Sequence, residues 1–168
     1  IVYDGTGRNP GIACAELVAR MGKSVTLVAI DGSFGPEMTY SERVVWKQRQ
    51  YELNIPVKLD LQMTRVYRNA NKLTATFVNE MTHQPVDMQA DQIIVERGTL
   101  PADEIYHKLR NASKNDGVTD IDCLLANKTQ PGDRNPNGTF FLHRIGDAVS
   151  SRNIYSAILD AARLCNSI

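Results

Sequence analysis

The first thirty residues, "IVYDGTGRNPGIACAELVARMGKSVTLVAI" (1–30), decide the fold. Ile1 to Tyr3 is a short apolar strand. Asp4 to Gly11, "DGTGRNPG", is dense in turn formers. A helix follows, about Gly11 to Met21, with Cys14, Leu17, Val18 and Met21 on one face and Gly22 as its stop. "KSVTLVAI" (23–30) is a β-branched apolar run of the kind buried on both faces of a parallel sheet. Strand, glycine loop, helix and strand make a βαβ unit, which predicts an α/β fold with parallel strands.

The loop carries Gly5-x-Gly7-x-x-x-Gly11, one residue longer in its second gap than the dinucleotide fingerprint. Gly5 suits the tight turn. Gly7 lets the backbone approach a pyrophosphate, and a helix beginning near Gly11 offers free N–H groups and partial positive charge. Arg8, inside the loop, either aids a phosphate or fills its place. Asp31 directly follows "LVAI", where an acid accepts hydrogen bonds from ribose hydroxyls and repels a 2′-phosphate. No Arg adjoins it, so the expected cofactor is NADH in preference to NADPH. A glycine-rich turn that binds nothing is the alternative.

Outward from this unit, "DGSFGPEMT" (31–39) leads to a helix over about Tyr40 to Leu53, with Val44, Val45, Tyr51 and Trp46 as its apolar positions. "IPVKL" (55–59) is a short strand that Pro56 restricts to a strand start or an edge. The period then changes to two. "MTRVYRN" (63–69), "KLTATFVNE" (72–80) and "ADQIIVE" (90–96) are expected to form an antiparallel meander, joined by "NANK" and "MTHQPVDMQ". "LPADEIYHKL" (100–109) is helical, with Pro101 in the first turn and Asp103 and Glu104 at the positive end of the dipole. "NASKNDGVTD" (111–120) and "NKTQPGDRNPNG" (127–138) are loops around a short strand, "DCLLA" (122–126). The second loop is the most mobile segment expected. "FFLHRIGDAVSSRNIYSAILDAARLC" (140–165) is a strand, a Gly-Asp pair and a helix with Ile154, Ala157, Ile158, Ala161 and Cys165 on one face.

Composition narrows the function classes. Of 168 residues, 42% are hydrophobic and 23% charged, ordinary for a chain that buries a core. Lys+Arg and Asp+Glu are 19 each, which argues against nucleic acid and against an anionic membrane as partner. No apolar run approaches a membrane span, and no signal peptide is visible. Cys14, Cys123 and Cys165 form no C-x-x-C pair and predict no zinc or iron–sulfur framework. They suit a reducing, cytoplasmic compartment. His83, His107 and His143 are isolated, and structural roles are expected for them. The N-x-[ST] triplets at Asn111, Asn127 and Asn137 are read as polar loops.

The βαβ loop, "IIVERGTLPADEIY" (93–106) and "IGDAVSSRN" (145–153), in this order, resemble the two-dinucleotide flavoprotein reductases. Over nearly the whole chain, "IVYDGTGRNPGIACAELVARMGKSVTLVA", "YELNIPVKLDLQMTRVY" and "HRIGDAVSSRNIYSAILDAARL" resemble the C-terminal region of the trimethylamine dehydrogenase and 2,4-dienoyl-CoA reductase family. "GDAVSSRNI" is more similar to the amine-dehydrogenase and N-methyl amino-acid demethylase branch.

The resemblance implies a Rossmann-like NAD-type domain over 1–110, a loop-rich connection over 111–138 and, over 139–168, the strand and helix that complete an FAD-binding half. It places Gly98 and Pro101 where the chain leaves the NAD-type domain. It assigns Gly146, Asp147 and Ala148 to FAD: Asp147 accepting from the ribityl hydroxyls, the N–H groups of Ala148 and Val149 facing the pyrophosphate. A cap on the last helix, by Asp147, Ser150 or Ser151, is the structural alternative. The start at Ile1, without Met, adds the expectation of a fragment. The remainder of the parent, a TIM barrel with FMN and a 4Fe-4S cluster plus the rest of the FAD half, is then its main partner. A homo-oligomer is the other expectation, through the apolar face of the last helix. The function implied is flavin-dependent oxidoreduction, electrons passing between flavin and NAD(P)H or a protein acceptor. Two alternatives remain: a vestigial domain that binds no NADH, and a free-standing nucleotide-binding module.

Overall fold

The computed structural model describes residues 1–132 and 134–168. They divide into two compact units, Ile1–Gly98 and Thr99–Ile168. Asp133, within the loop expected to be mobile, lies outside the described residues.

The first unit opens with β1 (Val2–Asp4), α1 (Asn9–Arg20) and β2 (Leu27–Ala29). β1 and β2 run parallel, pairing Val2 with Leu27 and Asp4 with Ala29. Each residue of both strands is buried. The two-residue period divides them between two cores. Val2 and Leu27 face Ile12, Ala15, Trp46 and Ile55. Tyr3 and Val28 face Leu61, Ala75 and Phe77. Gly22, at φ +73, ends α1 as expected. The buried face of α1 differs from the sequence reading: Gly11, Ile12 and Ala15 point inward, while Leu17 and Met21 are exposed. The helix begins two residues earlier than expected, at Asn9, because Pro10 fits its first turn.

α2 (Tyr40–Glu52) starts at a capping box between Thr39 and Glu42. Of its apolar positions only Trp46 is buried; Val44, Val45 and Tyr51 are exposed. Trp46 stacks obliquely on Phe34, ring centroids 5.0 Å apart. β3 (Val57–Lys58) is one edge of the parallel sheet, whose order is β3-β2-β1-β7.

The meander is real, but its third strand is not the expected one. It consists of β4 (Leu61–Asn69), β5 (Lys72–Asn79) and β6 (Pro85–Ala90). "PVDMQ", read as a connection, forms β6 together with Ala90; it is an edge strand, where a leading Pro omits no needed N–H. "IVE", read as meander, is β7 (Ile94–Glu96) and pairs parallel with β1. The Tyr3 hydroxyl accepts from Met63 N at 3.3 Å and so links β1 to β4.

The second unit contains α3 (Glu104–Leu109), α4 (Ile121–Leu125) and α5 (Ile154–Cys165). Three expectations are corrected here. α3 starts after Asp103, so Pro101 precedes the helix. "DCLL" lies in α4 and Ala126 is its C-cap, because the Asp120 carboxylate accepts from Cys123 N at 2.8 Å and caps a helical turn. The strand expected before the Gly-Asp pair is reduced to one bridge, Ser113 to Phe140. Its next backbone groups bond to a side chain: Asn115, 2% exposed, donates to Leu142 O at 2.7 Å and accepts from Leu142 N at 2.9 Å. A strand without a neighbouring strand has no ladder to join.

Candidate functional site

The glycine loop lies between β1 and α1, as the sequence predicts, and each of its glycines lies close against protein atoms. Gly5 N donates to Glu96 O at 2.9 Å, and a Cβ there would lie 2.9 Å from that same oxygen. Gly7 is buried at φ +67. A Cβ on it would meet Pro36 Cγ at 2.6 Å and Asp31 Oδ2 at 2.9 Å. Gly11, in the first turn of α1, would carry its Cβ 3.0 Å from Asp4 Cβ. The loop after β2 folds back onto the glycine loop, and Glu37 N donates to Gly7 O at 3.1 Å.

Asp4 organises this turn. It is 0% exposed. Its Oδ1 accepts from Thr6 N at 3.1 Å and from Gly7 N at 2.9 Å. Its Oδ2 is buried with no hydrogen-bond partner. Burial raises the pKa of Asp4; the two N–H groups oppose the rise, and the negative charges of Glu96 and Asp31 add to it. Glu96 forms a second anchor. Its carboxylate accepts from Gly98 N at 2.7 Å and from the Thr6 hydroxyl. Gly98, at φ +90, leaves the sheet here.

Asp31, the residue read as a ribose ligand, lies two residues beyond the end of β2. Its Oδ2 lies near Gly7, and its carbonyl accepts from Asp60 N at 3.2 Å. Arg8 is the N-cap residue of α1, with extended backbone and no side-chain cap bond. The structure thus gathers Gly5, Gly7, Arg8, Gly11, Asp31 and Gly98 around one turn. Sequence reading missed Asp4, Pro36 and Glu96. The available signal was an acid as the last residue of each of two adjacent strands, β1 and β7.

The Gly-Asp pair belongs to the second unit. Gly146–Ala148 is a separate 3-10 turn, and α5 begins only at Ile154. Gly146 is buried at φ +55, its N–H donating to Asp160 Oδ2 at 3.1 Å. Asp147 is exposed. The amides assigned to a pyrophosphate bond inside the turn: Ala148 N to Ile145 O at 3.3 Å, Val149 N to Gly146 O at 2.9 Å. The cap of α5 is Asn153, whose side chain accepts from Ser156 N at 2.8 Å, in place of Asp147, Ser150 or Ser151. Arg152 pairs with Asp160.

The histidines take local roles. His143 bonds through Nδ1 to the Thr119 hydroxyl at 2.8 Å, and burial lowers its pKa. His107 lies 3.0 Å from Asp103, and His83 sits in a turn at φ +58. Among the described residues no group of three or more His, Cys, Asp or Glu is arranged to hold a metal.

No family model matches the chain. It is 38% identical, over 167 residues and 98% of its length, to a multifunctional alkene reductase/demethylase of Caballeronia cordobensis, of which it covers 25%. It is 31% identical, over 169 residues and 98% of its length, to an N,N-dimethylglycine/sarcosine dehydrogenase of Chromohalobacter salexigens, of which it covers 24%. The chain therefore spans about a quarter of the length of the curated relatives it matches. In fold it is similar to histamine dehydrogenase from Rhizobium sp. 4-9, with a TM-score of 0.70 and 16% identity, over 99% of this chain and 22% of that one.

Proposed function

We propose that the chain belongs to the C-terminal region of the trimethylamine dehydrogenase and 2,4-dienoyl-CoA reductase family, that it is the pyridine-nucleotide-type domain of a flavin-dependent oxidoreductase, and that it serves its parent as a scaffold and not as a dock for NADH. The observation that carries this reading is the state of Gly7. Its amide is taken up by Asp4, and Pro36 occupies the space a Cβ would need. A pyrophosphate bound by a glycine loop requires that amide and that open approach. The residues present do not fit the group.

FAD fits no better in this chain alone. The Gly-Asp turn offers one exposed carboxylate, and its amides bond internally. One charge-assisted set of hydrogen bonds contributes about 1.5–3 kcal/mol, whereas a micromolar complex needs about 8 kcal/mol. Flavin, cluster and substrate contacts are proposed to lie in the rest of the parent. A methylated amine is the first substrate class to assay there, given the names of the relatives. Three free cysteines suit a cytoplasmic location. No helix among the described residues is long and apolar enough to cross a membrane.

A second reading, NADH binding, is favoured by the position of Asp31 just beyond β2. Calorimetric titration of the 168-residue chain with NADH separates the two. The scaffold reading expects no binding at micromolar protein, and a colourless preparation that leaves FAD fluorescence unquenched. One NADH per chain would refute it. In that event Asp31→Ala is expected to weaken binding by about 1.5–3 kcal/mol, the worth of a hydrogen bond to a charged acceptor.

A further inference from the structure

A carboxylate at 0% exposure is costly unless its charge is compensated. Asp4 ends a strand otherwise made of Val2 and Tyr3, and pairs in register with Ala29 and Glu96. Two features compensate it. Two successive loop amides, Thr6 N and Gly7 N, point at Oδ1. The first turn of the twelve-residue helix α1 lies against its side chain: a Cβ at position 11 would stand 3.2 Å from Asp4 Cγ, a tight contact. Loop amides together with a helix N-terminus are the surroundings that a glycine loop gives to a bound phosphate. Here the anion is part of the chain. Its Oδ2, buried and without a partner, lies in the same turn.

We propose that Asp4 is the specificity-determining residue of this loop: its carboxylate stands where a phosphate would bind and so excludes nucleotides. The inference rests on the scaffold reading and names the residue responsible for it. An incoming phosphate would find both amides occupied. It would also meet three carboxylates, since Glu96 and Asp31 both act electrostatically on Asp4. Pro36, above Gly7, narrows the entry further. A residue that merely braced the turn would weaken folding when replaced, but its loss would confer no affinity for anions.

The test uses the whole chain as wild type, Asp4→Asn and Asp4→Ser. The probe is inorganic phosphate, chosen because it is smaller than any nucleotide. Binding is followed by the amide resonances of Thr6 and Gly7 and by phosphorus line broadening. Wild type is expected to give no saturable response. Asp4→Ser, which removes both the charge and the occupying atoms, is expected to saturate at a phosphate concentration at least roughly tenfold below the highest at which wild type shows no saturation, as removal of a like charge beside an anion predicts. Asp4→Asn keeps the side-chain volume and loses the charge, so it is expected to gain a smaller response, and it decides the matter if Asp4→Ser does not fold. Folded variants that respond as wild type does would overturn the proposal, as would a wild type that binds phosphate as well as they do. NADH binding by wild type would instead overturn the scaffold reading, so the two failures are distinguishable.

Discussion

Asp4 also gives the first unit a distinctive pH response. Burial raises its pKa above the ordinary 3.8. In the folded chain it therefore keeps its proton to higher pH than in the unfolded chain. Between 3.8 and the raised value the folded state binds more protons, so stability falls as pH rises through that window and levels off above it. Glu42 and Asp120 act in the opposite sense. The hydrogen bonds they accept, from Thr39 and from Cys123 N, lower their pKa values, and their contribution is lost as pH falls. The difference between wild type and Asp4→Asn isolates the Asp4 effect. Urea midpoints measured from acid to neutral pH are expected to show wild type losing stability relative to Asp4→Asn as pH rises. A difference that does not change with pH would mean that Asp4 titrates normally. At this scale the sequence was half legible. That Gly5 and Gly7 leave no room for a side chain could be read from the loop motif. What stands over them could not, because Pro36 and Glu96 reach the loop from distant parts of the chain.

Single elements were legible where their period was unambiguous. The alternation in "KLTATFVNE" gave β5, and Gly22 gave the end of α1; its start was read two residues late because Pro10 was assigned to the loop. The meander's third strand was missed because two short runs competed for it. "PVDMQA" alternates Val86, Met88 and Ala90 toward the protein, the pattern of an antiparallel edge. "IVE" is nearly continuous in apolar character and matches β1, a fully buried parallel partner. Continuous runs belong beside parallel strands, and that rule distinguishes the two. The meander is held by β5, its central strand, through Phe77. This ring is 0% exposed and lies 6.0 Å from Tyr3, centroid to centroid. Phe77→Ala removes the largest fully buried side chain of the first unit's second core, and is expected to cost about 3–5 kcal/mol. Urea unfolding followed by far-UV dichroism measures it. A loss below about 1 kcal/mol would mean that the meander does not depend on Phe77 for its attachment to β1.

Over the whole molecule, the last helix bears on association. Its apolar face was legible from spacing alone; whether anything covers that face was not, because cover is a property of other segments. The structure covers part of it from within the second unit. Gly146 packs on Ala157, where a Cβ would stand 3.1 Å from that residue's own, and Leu164 is buried. Ile154 remains 81% exposed, Tyr155 74% and Ile158 63%. Ile154 and Ile158 lie one turn apart and so form one patch. Burying an isoleucine contributes about 1.5–3 kcal/mol, and a symmetric contact buries the pair from both copies, which favours association as concentration rises. Light scattering coupled to size exclusion is expected to show the 168-residue chain gaining mass with concentration. Ile154→Asp with Ile158→Asp is expected to return it to a monomer with unchanged dichroism, since neither side chain contributes to a core. If wild type stays monomeric at every concentration reached, the patch does not drive self-association. If wild type associates and the double variant associates equally, the contact lies elsewhere on the chain.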